Sequence, residues 1–218
     1  MKHGLILIFS GIKQKTKHLE DIESILNYTY NQRNQIWPMQ IREEIGKLLY
    51  ILKDERPTSI LEIGTANGGT LFMLARISTK DSKIITIDIP KKSSVMTNLF
   101  FQSFQRHNQK IYTINGDSHN KDTKDKIMKI IGGEKVDVLF IDGDHTYEGV
   151  KRDFDMYFPL VKQRGMVVFH DIVKGDTKLV GGVPNFWQEI KREMSTQEIV
   201  KDWNQGGCGI GIARRRKC

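Results

Sequence analysis
Two short clusters of carboxylate and imidazole residues carry the chemistry this 218-residue sequence offers: Asp142-Gly143-Asp144-His145, and His170-Asp171. A carboxylate beside an imidazole can hold a divalent ion, orient the ring, or let the ring take a hydroxyl proton near its unperturbed pKa of ~6.5. A third group lies upstream, where Glu62 leads into Gly64-Thr65-Ala66 and then Gly68-Gly69. Glycine lets a ligand approach the backbone closely, and the free N–H groups of a helix starting there favour a carboxylate or phosphate. About twenty residues beyond this loop, Asp88 can accept both hydroxyls of a ribose. Asp117-Ser118, after Gly116, forms a polar turn able to hold an adenine amine or ring; an Asx turn with a helix cap explains Asp117 as well.

Positioning these residues requires elements that the apolar pattern supplies. Residues 60–63, 83–89, 110–114, 136–141 and 165–169 read as strands, and each delivers one of the chemical groups at its carboxyl end. The run VDVLFI at 136–141 is β-branched and apolar with a single acid, as a buried parallel strand should be. Helical spacing predicts a helix over 38–54 (Ile41, Ile45, Leu48, Leu49, Leu52), with Pro38 in its first turn. Trp37 either staples onto that helix or faces an acceptor pocket. Helices are also expected from Leu71, over 95–104, and after His145 with Tyr147, Val150, Phe154, Tyr157, Phe158 and Val161 on one face. Asp144 is expected to cap that last helix. The stretch 172–185, with Gly175, Gly181, Gly182 and Pro184, is either a mobile lid or an irregular connection. Phe186, Trp187, Ile190 and Met194 form a docking helix, and strands 197–203 and 209–213 pair across Asn204-Gln205-Gly206-Gly207.

Composition bounds the alternatives. The length suits one well-buried domain. The apolar run at 4–12 is about half a membrane span, so no membrane crossing is expected; it packs on the domain or on a second subunit, which hints at a homodimer. Cys208 and Cys218 form no C-x-x-C pair, so neither a zinc site nor a disulfide framework is indicated, and a reducing cytoplasm fits. The net charge of +8 is scattered apart from the terminal Arg214–217 run, which favours a solvated surface and basic tail over a nucleic-acid groove. Gly64 to Gly69 is followed by Thr70 without a lysine, which rules against a P-loop, and Ala66 breaks the dinucleotide pattern G-x-G-x-x-G.

What stands at the glycine loop is E-x-G-x-x-x-G, which resembles the first motif of class I S-adenosylmethionine-dependent methyltransferases. The run FIDGDHTYEGVKRDFDMYFPLVKQRGMVVFHDI, with LEIGTANGGT before it and GVPNFWQEI after it, resembles the group containing catechol, caffeoyl-CoA and macrocin-type O-methyltransferases, over roughly residues 37–214. The resemblance implies a Rossmann-like, doubly wound α/β sheet of seven strands, mostly parallel with an antiparallel last strand. It assigns residues 1–36 to a helical extension and 37–218 to the methyltransferase domain. It implies S-adenosylmethionine held by Glu62, Gly64, Thr65, Ala66, Gly68, Asp88, Asp117, Ser118 and Asp142, and a small-molecule acceptor carrying a sugar, polyketide-like or phenolic hydroxyl. By the same resemblance Asp142 and Asp171 match metal-binding acids, and His145 falls where the catechol group has its lysine base. Ile172 replaces the asparagine that completes the catechol metal site. The sugar-modifying pattern instead gives a divalent site of Asp142, His170 and Asp171, which suits Mn²⁺ better than Mg²⁺; alternatively His170 hydrogen-bonds a carboxylate of the pocket wall. A nucleic-acid methyltransferase is disfavoured because no [DNS]-P-P-[FYW] motif occurs, a nicotinamide oxidoreductase because of the glycine spacing; a cofactor-binding partner subunit without catalysis stays open.

Overall fold
The computed structural model describes residues 15–31, 36–89 and 94–215. The apolar run at 4–12, Cys218 and the last two residues of the basic terminal run therefore lie outside the described residues. In chain order the elements are α1 (Ile22–Thr29), α2 (Arg42–Glu55), β1 (Ser59–Ile63), α3 (Gly69–Ile77), β2 (Lys83–Asp88), α4 (Ser94–Gln102), β3 (Lys110–Asn115) and α5 (Lys121–Ile131). They continue with β4 (Val136–Ile141), α6 (Tyr147–Tyr157), β5 (Val161–His170), the short α7 (Thr177–Val180), α8 (Val183–Glu193), β6 (Ser195–Ile199) and β7 (Ile210–Arg214). The seven strands form one sheet in the order β3-β2-β1-β4-β5-β7-β6. Pairings from β3 through β5 are parallel, and β7 runs antiparallel to both β5 and β6. The expected sheet, with its antiparallel last strand, is what forms.

Period-2 alternation places the two cores. Ile60, Ile84, Val138, Phe140 and Val168 point to the layer of α1, α2 and α3. Their chain neighbours Leu61, Ile85, Leu139 and Val167 point to the opposite layer with α6 and α8. All five residues of β1 are buried, as both faces of a central parallel strand require.

Several boundaries differ from the sequence expectation, each for a physical reason. Helix α2 begins at Arg42, with Ile41 as its N-cap, so Pro38 is outside it. Residues 36–40 instead run over the start of α3: a Cβ on Gly69 would lie 2.3 Å from the Ile36 carbonyl oxygen. Trp37 is 41% exposed, as a stapled ring would not be. Val161 belongs to β5, because Pro159 ends α6 in a 3₁₀ turn over Phe158–Leu160. The cap of α6 is Thr146, whose hydroxyl accepts from Gly149 N, while Asp144 closes an Asx turn onto Thr146 N at 2.8 Å. Helix α5 carries only Thr123, Ile127 and Ile131 on its buried face, too narrow a stripe to stand out in the sequence. Among the described residues, no helix is long and apolar enough to cross a membrane.

Candidate active site
Strand order reverses between β1 and β4, and the loops leaving their carboxyl ends diverge to open a crevice, the usual ligand position in a sheet of this kind. Gly64 follows β1 at φ 91°, and a Cβ there would sit 1.8 Å from the Asp142 carbonyl oxygen, so only glycine lets the two strand ends approach. Backbone bonds from Gly64 N to Ile87 O (2.9 Å) and from Asp142 N to Ile63 O (2.8 Å) extend the sheet into the crevice. The result is a cavity of about 410 Å³. Gly64, Ala66, Asp88, Asp117, Ser118 and Asp142 line it, together with Ile63, Ile87, Ile89, Gly116, His119, Gly143 and Asp144.

The other three residues expected to hold the cofactor do not reach the cavity wall. Glu62 is fully buried beneath the loop, where Oε2 accepts from the Thr86 hydroxyl at 2.5 Å. Thr65 is also buried, bonded to the Thr86 hydroxyl and to Ile87 O. Gly68 caps α3 in the left-handed region and packs on Phe101 and Phe104. These three support the loop from behind. Burial, opposed by the Thr86 hydrogen bond and reinforced by the charges of Asp142 and Asp88, pushes the Glu62 carboxyl up to about 8. Asp88 accepts from Ala66 N at 2.8 Å and so fixes the tip of the loop across the cavity. Asp117 takes the Asx turn, accepting from His119 N at 2.8 Å, while Asn120 caps α5.

Asp142 also faces a second group of residues. Its Oδ1 lies 3.1 Å from His170 Nδ1 and 3.4 Å from His145 Nε2, and its Oδ2 accepts from Gln40 Nε2 at 2.7 Å. Asp171 closes the ring from β5: Oδ2 is 3.3 Å from His170 Nδ1 and 3.5 Å from His145 Nδ1, and Oδ1 accepts from Cys208 N at 3.0 Å. Asp171 holds φ 61° and Cys208 φ 57°, unusual for side-chain-bearing residues and here bound to one another. His145 Nδ1 also donates to the Leu179 carbonyl, which ties α7 to the cluster.

The charges within the cluster sustain one another. Burial alone would raise Asp142, but the charges and hydrogen bonds of His170 and His145 hold it down at about 2. The Asp142 hydrogen bond, against burial, lifts His145 to about 9. Burial would lower His170, yet Asp142 and Asp171 hold it well above the ordinary value. Both imidazoles therefore carry protons at neutral pH, in place of the near-neutral titration expected of His145 from its residue type. His170 Nε2 is buried without a hydrogen-bond partner.

The donors fit a divalent ion only in part. Asp142, His145 and Asp171 present one ligand atom each within 4.8 Å of one another, as do His170, Asp171 and Cys208. Ile172, 1% exposed, offers no third oxygen, so the set is mixed carboxylate and imidazole and suits Mn²⁺ better than Mg²⁺. Gln40, His119 and Cys208 are site residues that sequence reasoning missed. Gln40 is 102 positions from the carboxylate it holds, and no local pattern marks it.

A seven-stranded sheet with one antiparallel strand and a cavity at its switch point defines a doubly wound α/β fold with its ligand position at the carboxyl ends of the strands. Residues 61–172, just over half of the chain, match the family model described as a methyltransferase domain, and the chain belongs to that family. It is 32% identical to an uncharacterized protein of Acanthamoeba polyphaga mimivirus over 113 residues, 51% of this chain and 50% of that protein. It is 21% identical to catechol O-methyltransferase of Bos taurus over 159 residues, 71% of this chain and 54% of that enzyme. The chain thus spans about half the length of these curated relatives. Among solved structures, the O-methyltransferase TomG of Streptomyces achromogenes in complex with SAM superposes with a TM-score of 0.65 at 20% identity, covering 94% of this chain and 95% of that one. A Bacillus cereus O-methyltransferase in complex with SAH gives 0.64 at 18% identity, covering 94% and 97%. At these identities the likeness is one of fold.

Proposed function
We propose that this protein transfers the methyl group of S-adenosylmethionine to a hydroxyl oxygen of a small molecule: a sugar, a polyketide-like compound or a phenol. The observation that carries the reading is the double placement of Asp142, which lines the cofactor-sized cavity and anchors the cluster of His145, His170 and Asp171. A methyl donor and an acceptor hydroxyl would meet at that carboxylate. The sulfonium methyl is already activated, so the protein must align the reactants and manage one proton.

Gln40 and His170 clamp Asp142 from two sides, so its carboxylate cannot swing away. His145 faces the same carboxylate and Asp171; its positive charge stabilises an oxyanion developing on the acceptor, and its deprotonated fraction takes the hydroxyl proton. A divalent ion held by Asp142, Asp171 and His145 or His170 would lower the pKa of the acceptor hydroxyl and orient it. The resemblance noted in the sequence, the family membership and the SAM- and SAH-bound fold neighbours support the cofactor assignment. A reducing cytoplasm is the compartment proposed.

The test is calorimetric titration with S-adenosylhomocysteine beside NADH, repeated with Mn²⁺, Mg²⁺ and chelator, followed by transfer of labelled methyl to hydroxylated acceptors. Binding of roughly micromolar strength by the homocysteine product alone is expected; binding of NADH alone would overturn the reading. His145→Ala should lower turnover by ~10²-fold or more while leaving S-adenosylhomocysteine affinity within a few-fold. Equal loss of both would assign His145 to binding or folding.

A further inference from the structure
At the end of the sheet opposite the cavity between β1 and β4, two arginines are packed inward without a carboxylate beside them. Arg76, 3% exposed, stands in the last turn of α3, close to where Thr79 N bonds Pro57 O just ahead of β1. Its Nη1 donates to Phe104 O at 2.8 Å, its Nη2 donates to Thr16 Oγ1 at 2.7 Å, and its guanidinium lies over the Phe72 ring, 4.4 Å from the centroid. Arg106, on the loop entering β3, donates through Nη2 to the Arg76 carbonyl, and its Nη1 has no acceptor among the described residues. The Nε of each arginine is buried without a partner.

Charge balance is what this corner lacks. Neither guanidinium makes an ion pair among the described residues, and the stretches 1–14, 32–35 and 90–93 contain no acidic residue. Glu20 eases the burial of Arg106 from beyond ion-pair distance. The carbonyl end of α3 supplies about half a negative charge, against two full positive ones. Burial first, and the charge of Arg106 second, pull Arg76 down to about 9, which leaves it positive at neutral pH. A buried charge without a counter-charge is costly.

Around the two arginines lies a cavity of about 180 Å³, lined by Lys17, Arg76, Gln105, Arg106 and His107. Every one of these side chains can donate a hydrogen bond, and none is acidic. Three segments meet there: the turn ahead of α1, the end of α3 and the loop entering β3. No lining residue is shared with the cavity between β1 and β4. The volume equals roughly six waters at ~30 Å³ each, short of the ~300 Å³ at which small-molecule pockets begin. It suits a tetrahedral oxyanion and is too small for a nucleotide. Guanidinium N–H groups match phosphate oxygens in geometry as well as in charge.

We propose that this cavity is a second, non-catalytic site for a phosphate-type oxyanion, held by Arg76, Arg106 and Lys17 with Gln105 and His107 as further donors. The bound anion supplies the missing counter-charge and ties the N-terminal segment at Lys17 to α3 and to the entry of β3. The ligand is either free inorganic phosphate or the phosphate of a monoester whose organic part stays in solvent. The site does not depend on the methyl-transfer reading.

The test is calorimetric titration with inorganic phosphate at about pH 7.5, where a phosphate group carries close to two charges. Chloride holds the ionic strength constant, and the titration is repeated with saturating S-adenosylhomocysteine and with glycerol phosphate. One equivalent of phosphate should bind with a Kd of ~1 mM or tighter, unchanged by S-adenosylhomocysteine, and should raise the melting temperature above the chloride control. Equal affinity for glycerol phosphate supports a monoester as ligand, and binding of inorganic phosphate alone supports the free anion. Arg106→Gln should weaken binding by about tenfold or more, and Lys17→Gln by a few-fold. Lys126→Gln, which removes the same charge from exposed α5, should have no effect. Absence of phosphate binding, its displacement by S-adenosylhomocysteine, or equal weakening by all three substitutions overturns the proposal. Should Arg106→Gln fail to fold, the wild-type titration and the contrast between Lys17→Gln and Lys126→Gln still decide.

Discussion
The acids at the ends of the central strands serve opposite purposes, depending on what faces them. Asp142 meets two imidazoles and an amide and stays ionised; Glu62 meets only a hydroxyl and is held largely protonated at neutral pH. The second case has a consequence for stability. The carboxyl of Glu62 is raised in the folded protein, from the ordinary 4.5 to about 8, so folding binds a proton that the unfolded chain has released. Its contribution is fully present below pH 4.5 and is lost as pH rises toward and through about 8. Glu62→Gln keeps an acceptor for the Thr86 hydroxyl and cannot ionise. Thermal melts from pH 5 to 8.5 should therefore show a melting temperature that declines less in the variant than in the wild type, with the variant the more stable at the alkaline end. Parallel curves for the two proteins would mean that Glu62 does not titrate in this window.

The stretch from Ile172 to Asn185 was the clearest candidate for a lid, and as an element it is tied down at both ends. Val173 N bonds Cys208 O at 3.0 Å, and Gly182 N bonds His145 O at 2.7 Å. Gly175 abuts the backbone of Gly206, where a Cβ would come within 2.0 Å of the carbonyl oxygen. Between the anchors, residues 174–179 are mostly exposed, and the hydrogen bonds of their amides are short-range ones to Asp176. Hydrogen exchange should separate these groups, with the amides of Val173 and Gly182 slow and those of 174–178 fast. Uniformly slow exchange would make the whole segment a fixed wall, and fast exchange at Gly182 would show that the hinge reaches His145. The ends of β2, β4 and β5 were legible because an apolar run there closes on an acid, as at Ile87-Asp88, Ile141-Asp142 and Phe169-His170-Asp171. The clamps were not: Gln40 on Asp142 and Glu44 on Gly209 N join residues far apart in the chain, and only the packed layers bring them together.

At the scale of the molecule, the expected division of residues 1–36 from the methyltransferase domain meets a shared core among the described residues. Leu19, Ile22, Ile25 and Leu26 lie in the same core as Leu48, Phe72 and Ile84, each at most 6% exposed. Tyr28 stacks on Phe72 with ring centroids 5.2 Å apart, and Arg76 Nη2 donates to Thr16 Oγ1 at 2.7 Å. Full burial of one such aliphatic side chain is worth ~1.5–3 kcal/mol, so the four together contribute roughly 6–12 kcal/mol. A domain's whole stability is about 5–15 kcal/mol. A chain beginning at Trp37 would expose the face of α2 and α3 that these residues cover. It should therefore bind a hydrophobic dye strongly and lose its cooperative thermal transition, while Leu26→Ala in the full chain keeps a cooperative transition at a lower melting temperature, with a stability loss of about 2–5 kcal/mol. A truncated chain that melted cooperatively within a few degrees of the full protein would restore the extension to the status of an appendage. The opposite result makes helix α1 part of the methyltransferase fold in this chain, and places Gln40 and the cover over α3 on a segment held from both sides by core packing.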